Sequence, residues 1–242
     1  MLVCDHASNR FPQAMNQLGL ADWVLERHVA CDIGAAAVTR LLADRLNAPA
    51  ILAGYSRLIV DLNRQLHTSG AFIEVSDGIT VPGNIDLAPE ERQDRIASFF
   101  DPYHGAITER IDTFLASGVQ PAIIAIHTCT PVFNDVVREM HFGIMWDQDD
   151  RIPVPLMRQL ESFEGVCVGD NEPYSGQHPD DFTIDHHAER KGLPCVGIEI
   201  RQDLVNDETG ATHWTSVLGE ALERVLPDVV NFKTPNTSSK NE

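Results

Sequence analysis

Apolar and polar positions fall along this chain in blocks whose lengths and periods differ. "MLVC" (1–4), "APAILAGYS" (48–56), "PAIIAIHTCTP" (121–131), "MHFGIMW" (140–146), "GVCVG" (165–169) and "CVGIEIRQDL" (195–204) are short apolar runs, which predict buried strands. Between them, apolar residues recur at helical spacing. Residues 21–47 carry that period, most clearly in "DIGAAAVTRLLADRL", and so do 153–163 and 209–230. Residues 88–117 open on a helix-start signal and hold the period through two segments. Strands alternating with helices predict a single α/β domain over residues 1–230, with a mostly parallel sheet flanked by helices. Residues 65–90, rich in Gly, Ser, Thr, Pro and Asp, read as a long excursion and a candidate lid. Residues 231–242 hold no apolar period and predict a disordered tail.

Charge narrows the function. In 242 residues there are 18 Lys+Arg against 36 Asp+Glu, a formal net charge of -18. Such a surface repels phosphate backbones and anionic membranes, which argues against nucleic-acid and membrane partners. An anionic small-molecule substrate would have to be held by local cations. The five cysteines (Cys4, Cys31, Cys129, Cys167, Cys195) form no CxxC pair, so neither a disulfide framework nor a zinc knuckle is indicated. Cys4, Cys167 and Cys195 sit in apolar runs and read as small buried hydrophobes. No secretory leader pattern precedes the first strand and no apolar run reaches membrane-spanning length, so the expected compartment is the cytoplasm. Nothing in the pattern sets an oligomeric state.

In open α/β sheets, ligands bind beyond the carboxyl ends of the strands. The residues there are Asp5, His6 and Asn9; Arg57, Asp61, Asn63 and Arg64; His127 and Thr128; Asp170, Asn171, Glu172 and Tyr174; and Glu199, Arg201 and Asp203. His6 and His127 suit a divalent metal, because neutral imidazole is a common nitrogen ligand of zinc. A lone strand-end histidine is also often just a hydrogen-bonded structural residue. Glu199 lies inside the apolar "VGIEIR", where an unpaired carboxylate is costly. It is therefore either the partner of an arginine or a functional group, and a raised pKa suits a general base. Arg64 and Arg201 have the two-pronged geometry that grips a carboxylate. Of the adjacent His186 and His187, only one can face a site, and His187 is the preferred candidate. Cys129, two residues after His127, is poorly placed to pair with it as nucleophile and base.

"VCDHASNRFP", "HVACDIGA", "YSRLIVDLNR", "IHTCTPVF", "GDNEPYSG" and "GLPCVGIEIRQDL" together resemble the blocks of the N-formylglutamate amidohydrolase family. The resemblance runs from residue 3 to about the last helix. It implies a zinc-carboxypeptidase-like (phosphorylase/hydrolase-like) fold with a mixed sheet and one divalent metal, most simply zinc. Matched to the His-x-x-Glu pattern of carboxypeptidase-like enzymes, "HASN" places His6 at one ligand and Asn9 where the glutamate would stand. His127 fits the later histidine, and Asp5 or Asp32 is available to supply the missing negative charge. The resemblance gives Asn63 and Arg64 the substrate carboxylate, Glu199 the general-base role, and Arg57 and Arg201 the support of a developing oxyanion. The implied reaction is metal-dependent hydrolysis of the amide of an N-formyl amino acid such as N-formylglutamate. Two alternatives remain open: an aminoacylase or peptidase acting on a short acidic or cell-wall peptide, and a metal-free domain that binds small carboxylates.

Overall fold

In the computed structural model, which describes residues 1–177 and 181–230 and the side chains of all of these but Val230, each predicted strand joins one sheet. The strands are β1 (Leu2–Cys4), β2 (Ala50–Leu52), β3 (Ile123–Cys129), β4 (Phe142–Met145), β5 (Val168–Asp170) and β6 (Cys195–Arg201). Their order in space is β2-β1-β3-β6-β4-β5. Neighbours run parallel except β6 and β4, which pair antiparallel. The predicted tail, residues 231–242, lies outside the described residues.

Both faces of the sheet are covered, which is why its central strands read as continuous apolar runs rather than alternating ones. Side chains on a strand still point alternately to the two faces. On β3, Ile124 and Ile126 pack against helices α1 (Ala35–Leu46), α4 (Pro153–Glu161) and α5 (Glu208–Val230). Ile123 and Ala125 pack on the other face, against residues 58–62 and helix α3 (Asp101–Ala116). α3 continues from α2 (Pro89–Arg95) through a short π-helical turn, Ile96–Phe100. The same parity puts Asp5, His127 and Glu199 on this second face, the face of Val3, Ala125 and Cys195. His127 and Glu199 are direct register partners on β3 and β6. The apolar residues before them anchor the strands, and the polar ones emerge together where the strands end.

The structure departs from the helical period of residues 21–34, where only Asp22–Leu25 makes a helical turn. The rest is irregular, and it delivers Asp32 to the strand ends: the Asp32 amide donates to the His6 carbonyl at 3.0 Å. α1 starts only after Gly34, whose φ of +85° and approach to the Val205 carbonyl (2.3 Å from where a Cβ would sit) admit no side chain. Residues 65–90 also differ from a detached excursion. They are pinned to the core through Ala71, Phe72 and Val81 and through Asn84, whose amide donates to the Leu58 and Ile73 carbonyls. Cys4 and Cys195 are buried as expected, but Cys167 is exposed because it precedes the edge strand β5. No helix among the described residues is long and apolar enough to cross a membrane.

Candidate active site

His6, Asp32 and His127 place one ligand atom each within 4.8 Å of one another, all three residues buried. His6 follows β1, His127 ends the apolar run of β3, and Asp32 comes from the irregular segment before α1. Both imidazoles turn Nδ1 toward the same carboxylate oxygen, Asp32 Oδ2, at 3.3 Å from His6 and 2.9 Å from His127. Their Nε2 atoms face other carboxylates: Asp61 Oδ1 at 2.8 Å from His6 and Asp5 Oδ2 at 3.3 Å from His127. A carboxylate behind each imidazole fixes the ring and aims the opposite nitrogen at Asp32 Oδ2, where a cation would be shared by all three residues. Asp5 is held in turn by the Tyr103 hydroxyl (2.8 Å) and the Thr183 hydroxyl (2.9 Å), which both donate to its Oδ1.

The donor set fits a divalent cation on a further ground. Asp5, Asp32 and Asp61 are all buried, and the one arginine among them, Arg57, donates to Asp61 (2.6 and 2.9 Å) and at 3.4 Å to Asp32. Three buried negative charges against one positive charge leave a deficit that either a cation or protonated histidines must fill. Without a cation the histidines fill it. Burial lowers their basicity, but the flanking aspartates outweigh it: His6 is raised and His127 lies well above its ordinary value. Burial alone would raise the carboxyl groups, yet the His6 and His127 contacts hold Asp32 low and bring Asp5 to about 2.

A test follows with a definite sign. A group whose folded pKa is raised stabilises fully below its ordinary value, here 6.5, and loses that contribution as pH rises through the folded pKa. Chelator-treated protein is therefore expected to lose thermal stability as pH rises above 6.5, and zinc-supplemented protein to lose much less. Thermal unfolding between pH 6 and 9 with and without chelator checks this. A Tm that rises with pH in the chelated sample contradicts it.

Glu199 lies beside the cluster and is buried, and its Oε2 has no hydrogen-bond partner among the described residues. Burial, reinforced by the Asp32 charge, pushes its pKa up to about 7 against the opposing pull of His127. A cavity of about 230 Å³ opens onto these groups, lined among others by His6, Asp32, Arg57, Asn63, Arg64, His127 and Glu199. Asn63 accepts the Phe182 and Thr183 amides through Oδ1 at 3.1 and 2.9 Å, and Arg64 pairs with Asp181. A second cavity of about 190 Å³ shares Asn63, His127, Met145 and Asp181 with the first.

Three candidates stand elsewhere. Asn9 lines a different cavity from His6, Asp32 and His127, and its amide donates to the Leu25 carbonyl at 2.8 Å. Arg201 binds Asp203 (2.8 Å) and the Arg138 carbonyl (3.0 Å) and does not line the cavity. His187 is wholly buried behind the site, its Nε2 2.9 Å from His104 Nδ1. Sequence reading gave no role to Asp61 or Tyr174, although both were visible as polar residues just past apolar runs. Residues 65–90 contribute nothing to the lining; Thr128, Cys129, Thr130, Phe133, Tyr174 and Asp181 complete it instead.

Comparison with known proteins gives the family and the fold. The family model for N-formylglutamate amidohydrolase matches residues 1–206. The crystal structure of gene product Atu2144 from Agrobacterium tumefaciens superposes with a TM-score of 0.91 at 34% identity, over 95% of this chain and 90% of that one. The N-formylglutamate amidohydrolase from Ralstonia eutropha JMP134 shares the fold with a TM-score of 0.69 at 20% identity, over 94% of this chain and 93% of that one. Among curated proteins none matches. With its sheet, its strand-end cluster and this match over most of its length, the chain belongs to the N-formylglutamate amidohydrolase family.

Proposed function

We propose that the protein hydrolyses the amide bond of an N-formyl amino acid, most simply N-formylglutamate, with a divalent metal, most simply zinc, as cofactor. The observation that carries this reading is the His6–Asp32–His127 cluster beside a buried carboxylate with one oxygen free. His6, Asp32 and His127 would hold the ion, with Asp61 and Asp5 fixing the imidazoles from behind. A metal bound there supplies a Lewis acid for the amide carbonyl and lowers the pKa of a water.

The chain's own residues do the rest. Glu199 takes a proton from the attacking water as its oxygen bonds the carbonyl carbon, then passes that proton to the nitrogen as the C–N bond breaks. Formate and the free amino acid leave. Arg57 keeps its aspartates ionised. Its Nη1, only 3.4 Å from Asp32 at best, is the donor left for a developing oxyanion. Asn63 and Arg64, on the same cavity wall, take a substrate carboxylate.

The test is formate release from N-formyl-L-glutamate by chelated protein before and after addition of zinc, cobalt or manganese. Metal-restored release of one formate per glutamate is expected; no release with any of them contradicts the reading. The adjoining 190 Å³ cavity favours one second reading, an aminoacylase with room for a larger acyl group. Under that reading N-acetyl and longer N-acyl glutamates would be cleaved faster than the formyl compound.

A further inference from the structure

The arginines around the cavity differ in what holds them. Arg57 is matched by Asp61 and Asp32, Arg64 by Asp181 and Arg201 by Asp203. Arg138 is matched by neutral groups alone. Its Nη1 donates to the Thr130 carbonyl (3.0 Å) and hydroxyl (3.1 Å), and its Nη2 to the Tyr174 hydroxyl (3.1 Å). The guanidinium lies 5.2 Å from the Phe133 ring centre and 5.1 Å from that of Tyr174. No carboxylate pairs with it among the described residues, and the Cys129 thiol is a further neutral hydrogen-bond partner.

Arg138 does not itself line the cavity, but in a protein of net charge -18 a cation with no carboxylate partner among the described residues, set directly behind the cavity wall, is a feature to account for. Thr130, Phe133 and Tyr174, which hold Arg138, all line the cavity with Glu199. Two aromatic faces and three hydrogen bonds fix the guanidinium plane in advance, and a fixed fork loses less entropy on gripping a planar anion. Burial raises the Tyr174 phenol, Glu199 raises it further and Arg138 lowers it, so both charges act at this one ring.

We infer that Arg138, with Thr130 and Tyr174, forms a second carboxylate subsite, which makes the protein selective for dicarboxylates over monocarboxylates. This rests on the hydrolase reading, in which Asn63 and Arg64 take one carboxylate. The second subsite takes the acidic side chain, or the main-chain carboxylate if the first takes the side chain. Either way, both charges of the substrate are met in a protein whose overall field opposes it.

The test is binding of glutarate and of its monoamide, glutaramate, measured by titration calorimetry. Proteins for comparison are zinc-supplemented wild type, Arg138→Gln and Arg138→Lys, with thermal unfolding of each as a check on folding. Wild type is expected to bind glutarate on the order of 10–100-fold more tightly than glutaramate, the range for hydrogen bonds to charged groups. Arg138→Gln is expected to erase that preference and leave glutaramate affinity unchanged, and Arg138→Lys to restore part of it. Equal weakening of both ligands by Arg138→Gln, or an unchanged preference, overturns the subsite. So does a wild type without any preference. Arg138-dependent preference in a protein that does not cleave N-formyl-L-glutamate would overturn the hydrolase reading and leave the subsite standing.

Discussion

Glu199→Gln is expected to lower kcat by about 10³-fold, inside the 10²–10⁴ range of general acid–base groups, with the bound metal retained. The substitution keeps the side-chain volume and removes only the ability to accept and return a proton. Because Glu199 Oε2 has no partner among the described residues, the amide strands no other group there, and the protein should fold as before. The pH profile supplies a second readout. Only the carboxylate form can take a proton, so wild-type kcat/KM should rise with pH through an apparent pKa at or below about 7, a neighbouring cation pulling it downward. The variant's residual activity should lack that limb. Wild-type rates in Glu199→Gln would exclude it as the base, and loss of metal would make it a ligand instead.

The second large effect is expected at Asp32. Asp32→Asn is isosteric, but it replaces the charge that receives His6 and His127 on Oδ2 and Arg57 on Oδ1. Metal affinity should fall by at least about 100-fold, the upper end of what residues behind the ligands cost. Removing one partner from a buried charge network should also cost about 3–5 kcal/mol of stability. Dialysis against a metal buffer and urea unfolding of the two proteins check both. An Asp32→Asn protein that holds its metal as tightly as wild type would remove Asp32 from the proposed ligand set.

The sheet was legible because its strands are buried on both faces, which writes them into the sequence as unbroken apolar runs. His6, His127 and Glu199 were legible for the same reason: each is a polar residue at the end of, or inside, such a run. The misreadings come where periodicity and backbone diverge. Residues 21–34 have helical spacing, but Asp32 must reach the His6 carbonyl and Gly34 must pass the Val205 carbonyl, and neither is compatible with a continuous helix. Asn9 was placed by spacing to His6, which means little once the strand has ended and the chain has turned. Arg201 shares strand parity with Glu199, yet it sits two residues further along and is taken up by Asp203 and the 138–139 backbone. Arg138 follows a two-strand hairpin (Val132–Phe133 with Val136–Val137), and nothing local in its sequence foretells that it leans back over Tyr174.

The proposed hydrolysis requires a metal ion held by His6, Asp32 and His127. Elemental analysis of protein purified without added metal, for wild type and for the His6→Ala/His127→Ala double variant, tests it most directly. About one equivalent of zinc or a similar divalent ion in wild type, lost in the double variant, is the expected result. A wild type that carries no metal and takes none up from zinc, cobalt or manganese would contradict it.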